Sequence, residues 1–152
     1  MARHFICDMD GVVYRGDRLV PGFGDFLARV RQANRKLLFL TNGSGKTPAQ
    51  LKAKLEGMGL SGLEENQFFT AALATARFLQ RQPGPRTAYV VGEDALREAL
   101  AGVGFRETEE APAYVVLGHT RRFDYGMWAS AARLVRAGAR FVATNPDQVD
   151  PV

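Results

Sequence analysis

The sequence predicts an α/β chain built on parallel sheet, and three observations carry that expectation. Short, wholly apolar runs such as Leu37-Leu38-Phe39-Leu40 suit strands covered on both faces, as parallel sheets are. Stretches with apolar residues at helical spacing alternate with these runs. Two of the runs, Phe5-Ile6-Cys7 and Leu37 to Leu40, stop in small polar residues, at the strand ends where α/β sheets place ligands.

Taken in order, a strand from Phe5 runs into Asp8-Met9-Asp10-Gly11-Val12. Gly16-Asp17 then predicts a tight turn in a small hairpin. Phe23, Phe26, Leu27 and Val30 repeat at helical spacing and predict the first helix. The strand at Leu37 to Leu40 leads through Thr41-Asn42-Gly43-Ser44-Gly45-Lys46 into a second helix. Thr47 is its expected N-cap, Pro48 its first residue and Gln50 the partner in a capping box. Thr70 is the expected cap of a third helix, with Leu73, Ala76 and Leu79 inward. Gln82-Pro83-Gly84-Pro85 ends it and marks the expected domain boundary, dividing the chain into 1–82 and 83–152. The β–α rhythm then restarts: strand Ala88 to Val91, helix Asp94 to Leu100, strand Tyr114 to Leu117. Asp124 caps a longer helix to about Ala137, and Phe141-Val142-Ala143 is the last strand.

A chain of 152 residues with 46% hydrophobic content and ten Phe can bury a substantial core. A single cysteine rules out an internal disulfide and fits a reducing, cytoplasmic setting. No run approaches the ~18 apolar residues of a membrane span. The net charge of +4 comes from positive residues that are scattered, sixteen of twenty being Arg, which argues against a nucleic-acid groove.

Two acids two residues apart are an odd way to end a buried strand. In extended chain, Asp8 and Asp10 fall on one side, and Gly11 permits a sharp turn after them. Two close carboxylates repel, so either a shared proton or a hard cation must stabilise them. Mg²⁺ favours one or two carboxylates, water and phosphate oxygens. Phosphoryl transfer uses all of these parts, with one Asp attacking phosphorus and the other moving protons. The bland alternative is a pair of solvated turn acids. At the second strand end, the Thr41 hydroxyl and the amides of Asn42 and Gly43 suit phosphate oxygens; the alternative there is an ordinary strand-to-helix turn. Gly43-Ser44-Gly45-Lys46-Thr47 also has the look of a P-loop tail. The full pattern needs Gly where Leu40 stands, and Pro48 removes an amide from the helix start.

Jointly, Asp8-Met9-Asp10-Gly11-Val12 after one apolar strand and Leu40-Thr41-Asn42 after the next resemble the haloacid dehalogenase superfamily. The closer resemblance is to its NagD-like phosphatases. It extends through Val20-Pro21-Gly22, Ala72 to Leu79, Ala88-Tyr89-Val90-Val91-Gly92-Glu93, Gly138-Ala139-Arg140-Phe141 and Ala143-Thr144-Asn145-Pro146-Asp147. The resemblance implies half of a Rossmann-like parallel-sheet core followed by most of an inserted α/β cap. It implies Mg²⁺-dependent hydrolysis of a small phosphorylated metabolite through an aspartyl-phosphate. Asp8 matches the nucleophile and a Mg²⁺ ligand; Asp10 matches the general acid/base and lends its carbonyl to the metal. Thr41 and Asn42 match the phosphate-binding motif, with Gly43 where Asn is frequent. A homo-oligomer formed through the cap is a further candidate assembly.

The family also places a lysine, and then an acidic motif, after the cap. The sequence reaches Val152 within cap-like sequence, and neither has a matching position. The expectation is therefore an N-terminal piece whose core sheet shows an unpaired edge and bare apolar surface. A truncated module needing a complementary fragment, and a P-loop nucleotide binder, are the alternatives. Cys7 is expected as a core thiol, His4 at the surface and Trp128 in packing. His119, Thr144, Asn145 and Asp147 follow strands and are candidates to face substrate.

Overall fold

The computed structural model describes residues 4–122 and 124–146. They fall into two compact units, residues 4–41 with Pro48–Phe69, and Asn42–Thr47 with Thr70–Pro146.

In the first unit, β1 (Phe5–Asp8) leads to a hairpin of β2 (Tyr14–Arg15) and β3 (Arg18–Leu19). Gly16 turns that hairpin with φ of 58°, in the left-handed region that glycine occupies without strain. Next come α1 (Phe23–Gln32), β4 (Leu37–Thr41), α2 (Pro48–Gly57), one turn of 3₁₀ helix at Glu65–Gln67, and β5 (Phe68–Thr70). The sheet order is β1-β4-β5. β1 and β4 pair in parallel, with Phe5 opposite Leu37 and Asp8 opposite Leu40. Phe23, Leu27 and Val30 of α1 and Leu51 and Leu55 of α2 pack with Met9, Leu37, Phe39 and Phe68 in one apolar cluster. The rings of Phe39 and Phe68 stack at 4.8 Å between centroids. Cys7 packs against this cluster, as expected of a core thiol. His4 is exposed, its Nδ1 accepting a hydrogen bond from the Lys36 amide.

Burial of β4 on both faces does not hold. Leu37, Phe39 and Thr41 are covered, whereas Leu40 is 42% exposed, and Ile6 on the same face is 72% exposed. The packed helices bury one side of this sheet; alternation along the strands turns Ile6 and Leu40 to the other.

The second unit is covered on both sides. After α3 (Ala71–Gln80) come β6 (Thr87–Val91), α4 (Asp94–Gly102), β7 (Arg106–Glu107), β8 (Tyr114–Leu117), α5 (Tyr125–Arg136) and β9 (Arg140–Ala143). The strands form a four-stranded parallel sheet in the order β7-β6-β8-β9. Ala88 and Val90 of β6 face α3 and α4, packing with Ala72, Ala76, Leu79, Leu96 and Leu100. Tyr89 and Val91 face the other way, onto Ala131 and Leu134 of α5, with Trp128 at the margin of that cluster. Period-two alternation thus builds an α/β/α sandwich from a strand of largely apolar sequence. Two of the expected caps are present: Thr70 Oγ1 accepts from the Leu73 amide at 3.2 Å, and Asp124 Oδ1 from the Met127 amide at 2.9 Å.

The expected boundary at Pro83 is displaced. The second unit already includes Thr70 and all of α3, because the apolar stripe of that helix is buried against α4 and β6. Pro83 and Gly84 form a turn inside this unit, between α3 and β6. Strands β5 and β7 were not expected from the sequence.

Candidate active site

Asp8 is the last residue of β1 and is exposed. Met9, fully buried, anchors the chain between it and Asp10, which is also exposed. The strand itself ends at Asp8; Asp10 makes an isolated bridge to Tyr14, and Gly11 turns the chain with φ of 79°. The amides of Val12, Val13 and Tyr14 all point at the Met9 carbonyl, at 3.3, 2.9 and 3.3 Å, so the loop is tightly wound. Both carboxylates act on one group. Burial pushes the Tyr14 phenol well above its ordinary range, and the Asp10 charge, a side-chain hydrogen bond to Asp10 and the Asp8 charge add to the rise. The protonated hydroxyl of Tyr14 therefore donates to the Asp10 carboxyl. Lys54 Nζ lies 3.7 Å from the centre of the same ring, a close cation–π contact.

Thr41 ends β4 next to β1. Register sets Asp8 opposite Leu40, so Asp8 and Thr41 close the carboxyl ends of two adjacent parallel strands one residue apart. Thr41 is buried, on the side of Phe39.

Asn42 and Gly43 follow Thr41 directly and belong to the second unit. The Asn42 carbonyl accepts from Asn145 Nδ2 at 2.9 Å, and the Gly43 carbonyl from the Ala71 amide at 3.3 Å. Of the strand-end candidates in that unit, Thr144 Oγ1 donates to Ser44 Oγ at 3.1 Å, and the His119 amide donates to the same oxygen at 2.9 Å. Asp147 lies outside the described residues. Glu93 Oε1 accepts from the Arg121 amide at 2.9 Å. That bond, helped by Thr120, Arg122 and His119, holds the Glu93 carboxyl below its ordinary range against the opposing effect of burial.

Sequence reasoning missed Tyr14, Lys54 and Ser44. Tyr14 was legible only as part of the hairpin, since its link to Asp10 depends on the wound loop. Ser44 was passed over as a P-loop residue, yet it is fully buried.

Residues 5–106 match the family described as haloacid dehalogenase-like hydrolase. The chain belongs to that family. Among relatives of this chain, dihydroxyacetone phosphatase of Corynebacterium glutamicum is 40% identical over 147 residues, covering 97% of this chain and 53% of its own length. Ribonucleotide monophosphatase NagD of Escherichia coli K12 is 41% identical over 145 residues, 95% of this chain and 57% of its own. The solved structure of NagD from E. coli K-12 superposes with a TM-score of 0.91 at 39% identity, covering 99% of this chain and 60% of that one. The glycerol phosphate phosphatase of Mycobacterium tuberculosis in complex with magnesium gives 0.89 at 31% identity, over 97% and 45% of the two chains. The α/β fold read from the sequence and the NagD-like resemblance both hold. The chain spans about half the length of the curated relatives it matches, 53% and 57% for the first two.

The donor set at the end of β1 fits a hard divalent cation. Asp8 offers an exposed carboxylate and Asp10, two residues on, a backbone carbonyl, and Mg²⁺ takes one or two carboxylates while keeping water and substrate oxygens. Among the described residues, no group of three or more His, Cys, Asp or Glu side chains is placed to hold a metal.

Proposed function

We propose that this chain carries the nucleophile-bearing part of a phosphate-monoester hydrolase acting on small phosphorylated metabolites in the cytoplasm. The observation that carries the reading is the pairing of β1 with β4, which sets Asp8 and Thr41 at adjacent carboxyl ends with Asp10 in the next turn. Family membership and relatives named for dihydroxyacetone, ribonucleotide and glycerol phosphate substrates support it.

The Asp8 carboxylate attacks phosphorus. The ester P–O bond breaks, its electron pair stays on the leaving oxygen, and protonated Asp10 gives that oxygen a proton. Asp10, now ionised, takes a proton from water as the water oxygen attacks the aspartyl-phosphate. Phosphate leaves, Asp8 is again a carboxylate and Asp10 again an acid. The Tyr14 hydroxyl donates to Asp10 and fixes its orientation through both half-reactions. Thr41, with Asn42 and Gly43 directly after it in the chain, supplies donors for the phosphoryl oxygens. Asp8 and Asp10 would hold Mg²⁺, which when bound offsets the charge of the phosphoryl group.

The test is a Mg²⁺-dependent assay on 4-nitrophenyl phosphate, coupled to mass spectrometry of acid-quenched protein. Covalent phosphate is expected on the peptide containing Asp8. Asp8→Asn should abolish it and lower the rate on the order of a thousandfold or more. A variant that keeps the wild-type rate would overturn the proposal.

A further inference from the structure

In the second unit the chain leaves β6 through α4 to reach β7 on one side, and leaves β8 through α5 to reach β9 on the other. The two helices lie on opposite faces of the sheet. Adjacent strands whose connections depart in opposite directions open a crevice at their carboxyl ends, and in open α/β sheets that crevice is where ligands bind. Here the chain's own loop lies beside it, against the ends of β8 and β9. Ser44 Oγ accepts from the His119 amide just past β8 and from the Thr144 hydroxyl just past β9. Glycines make the room. A Cβ on Gly118 would stand 2.9 Å from Ser44 Oγ and 2.7 Å from Leu96 Cδ2, and a Cβ on Gly45 would stand 2.9 Å from His119 Cδ2. All three separations are too short for a real side chain.

The grip extends back along the chain. The Asn42 carbonyl is held by Asn145 and the Gly43 carbonyl by the first amide of α3. Peptide units are planar, and among the described residues none is cis. Fixing these two carbonyls therefore fixes the N–H groups of Gly43 and Ser44, which point the opposite way. We propose that Ser44 is a positioning residue: its hydroxyl pins the loop after Thr41 against the carboxyl ends of β8 and β9 and so presets the peptides that meet phosphate. This rests on the phosphatase reading for its purpose, though not for its geometry.

Two readouts separate them. Amide hydrogen exchange on the full chain should show residues 42–45 and the His119 amide protected in the wild type. Ser44→Ala should speed that exchange by at least about tenfold while β6 and β8 stay protected. Should Ser44→Ala fail to fold, Thr144→Val removes one partner of the hydroxyl and should give a smaller rise, reversed in Thr144→Ser. Asp8→Asn should leave the exchange unchanged. Titration with inorganic phosphate in the presence of Mg²⁺, and KM for 4-nitrophenyl phosphate, should each weaken about tenfold in Ser44→Ala or, by half an order of magnitude, in Thr144→Val. Unchanged exchange at 42–45, exchange that rises equally across the whole unit, or a loosened loop with unchanged phosphate affinity would each overturn the proposal. A wild type that protects the loop in a Ser44-dependent way yet neither binds nor hydrolyses phosphate would sink the hydrolase reading and leave the seat standing.

Discussion

The two sheets are written in the same local grammar and end up in different surroundings. β4 and β6 are both five-residue strands of largely apolar sequence, and the sequence reads β4 as covered on both faces. In the second unit both faces are in fact filled: α3 and α4 take one face of β6 and α5 the other. In the first, the helices take only one face, and Ile6 and Leu40 lie open on the other. A run of apolar residues records what a strand can tolerate on each side; which side is filled depends on elements elsewhere in the chain. The proposed nucleophile, Asp8, ends a strand of the half-covered sheet and is exposed there.

The contrast can be broken by substitution. Leu96 is fully buried in the second unit, so Leu96→Ala should cost about 2–5 kcal/mol, whereas Ile6→Thr on the open face should change stability by less than about 0.5 kcal/mol. Comparable losses in urea denaturation would mean that the two faces do not differ as described. A smaller effect is expected inside the first unit. Tyr14→Phe keeps the ring beneath Lys54 and removes the hydroxyl that donates to Asp10, at a cost of about 1–2 kcal/mol. The Tyr14 pKa is raised in the fold, so its contribution is complete below the ordinary tyrosine value of 10.0 and is lost as pH climbs toward the raised one. Wild type should therefore lose stability in alkali more steeply than Tyr14→Phe, a difference that denaturation midpoints across that range will read. The smallest effect belongs to Glu93. Its carboxyl is held below the ordinary 4.5, so it favours the fold above that value, and the benefit fades as pH falls through the lowered one. Midpoints of wild type and Glu93→Gln should differ near neutrality and converge in acid; parallel curves would contradict the role given to the Arg121 amide.

Much of the architecture was legible because the sequence states it locally. Thr70 and Asp124 announce their helices, and the apolar runs at Ala88 and Tyr114 announce their strands. The omissions have physical reasons. β7 is two exposed charged residues, Arg106 and Glu107, with no apolar signature, and β5 runs without a break into the cap of α3. Pro83 and Gly84 read as a linker because turn chemistry is the same within a domain as between domains. Asp8, Asp10 and Thr41 could be named from strand ends alone. Ser44 could not, because its partners lie 75 and 100 residues further along, a distance at which local pattern carries no information.

That separation also sets an order of events during folding. Pairing β6 with β8 closes a short stretch of chain, whereas bringing Ser44 to Thr144 closes a hundred residues and requires both strand ends to exist first. The sandwich can condense on contacts near in sequence and the loop be captured afterwards, a late contact outside the nucleus. A nascent chain would then acquire the scaffold of its second unit before the peptides that follow Thr41 are set.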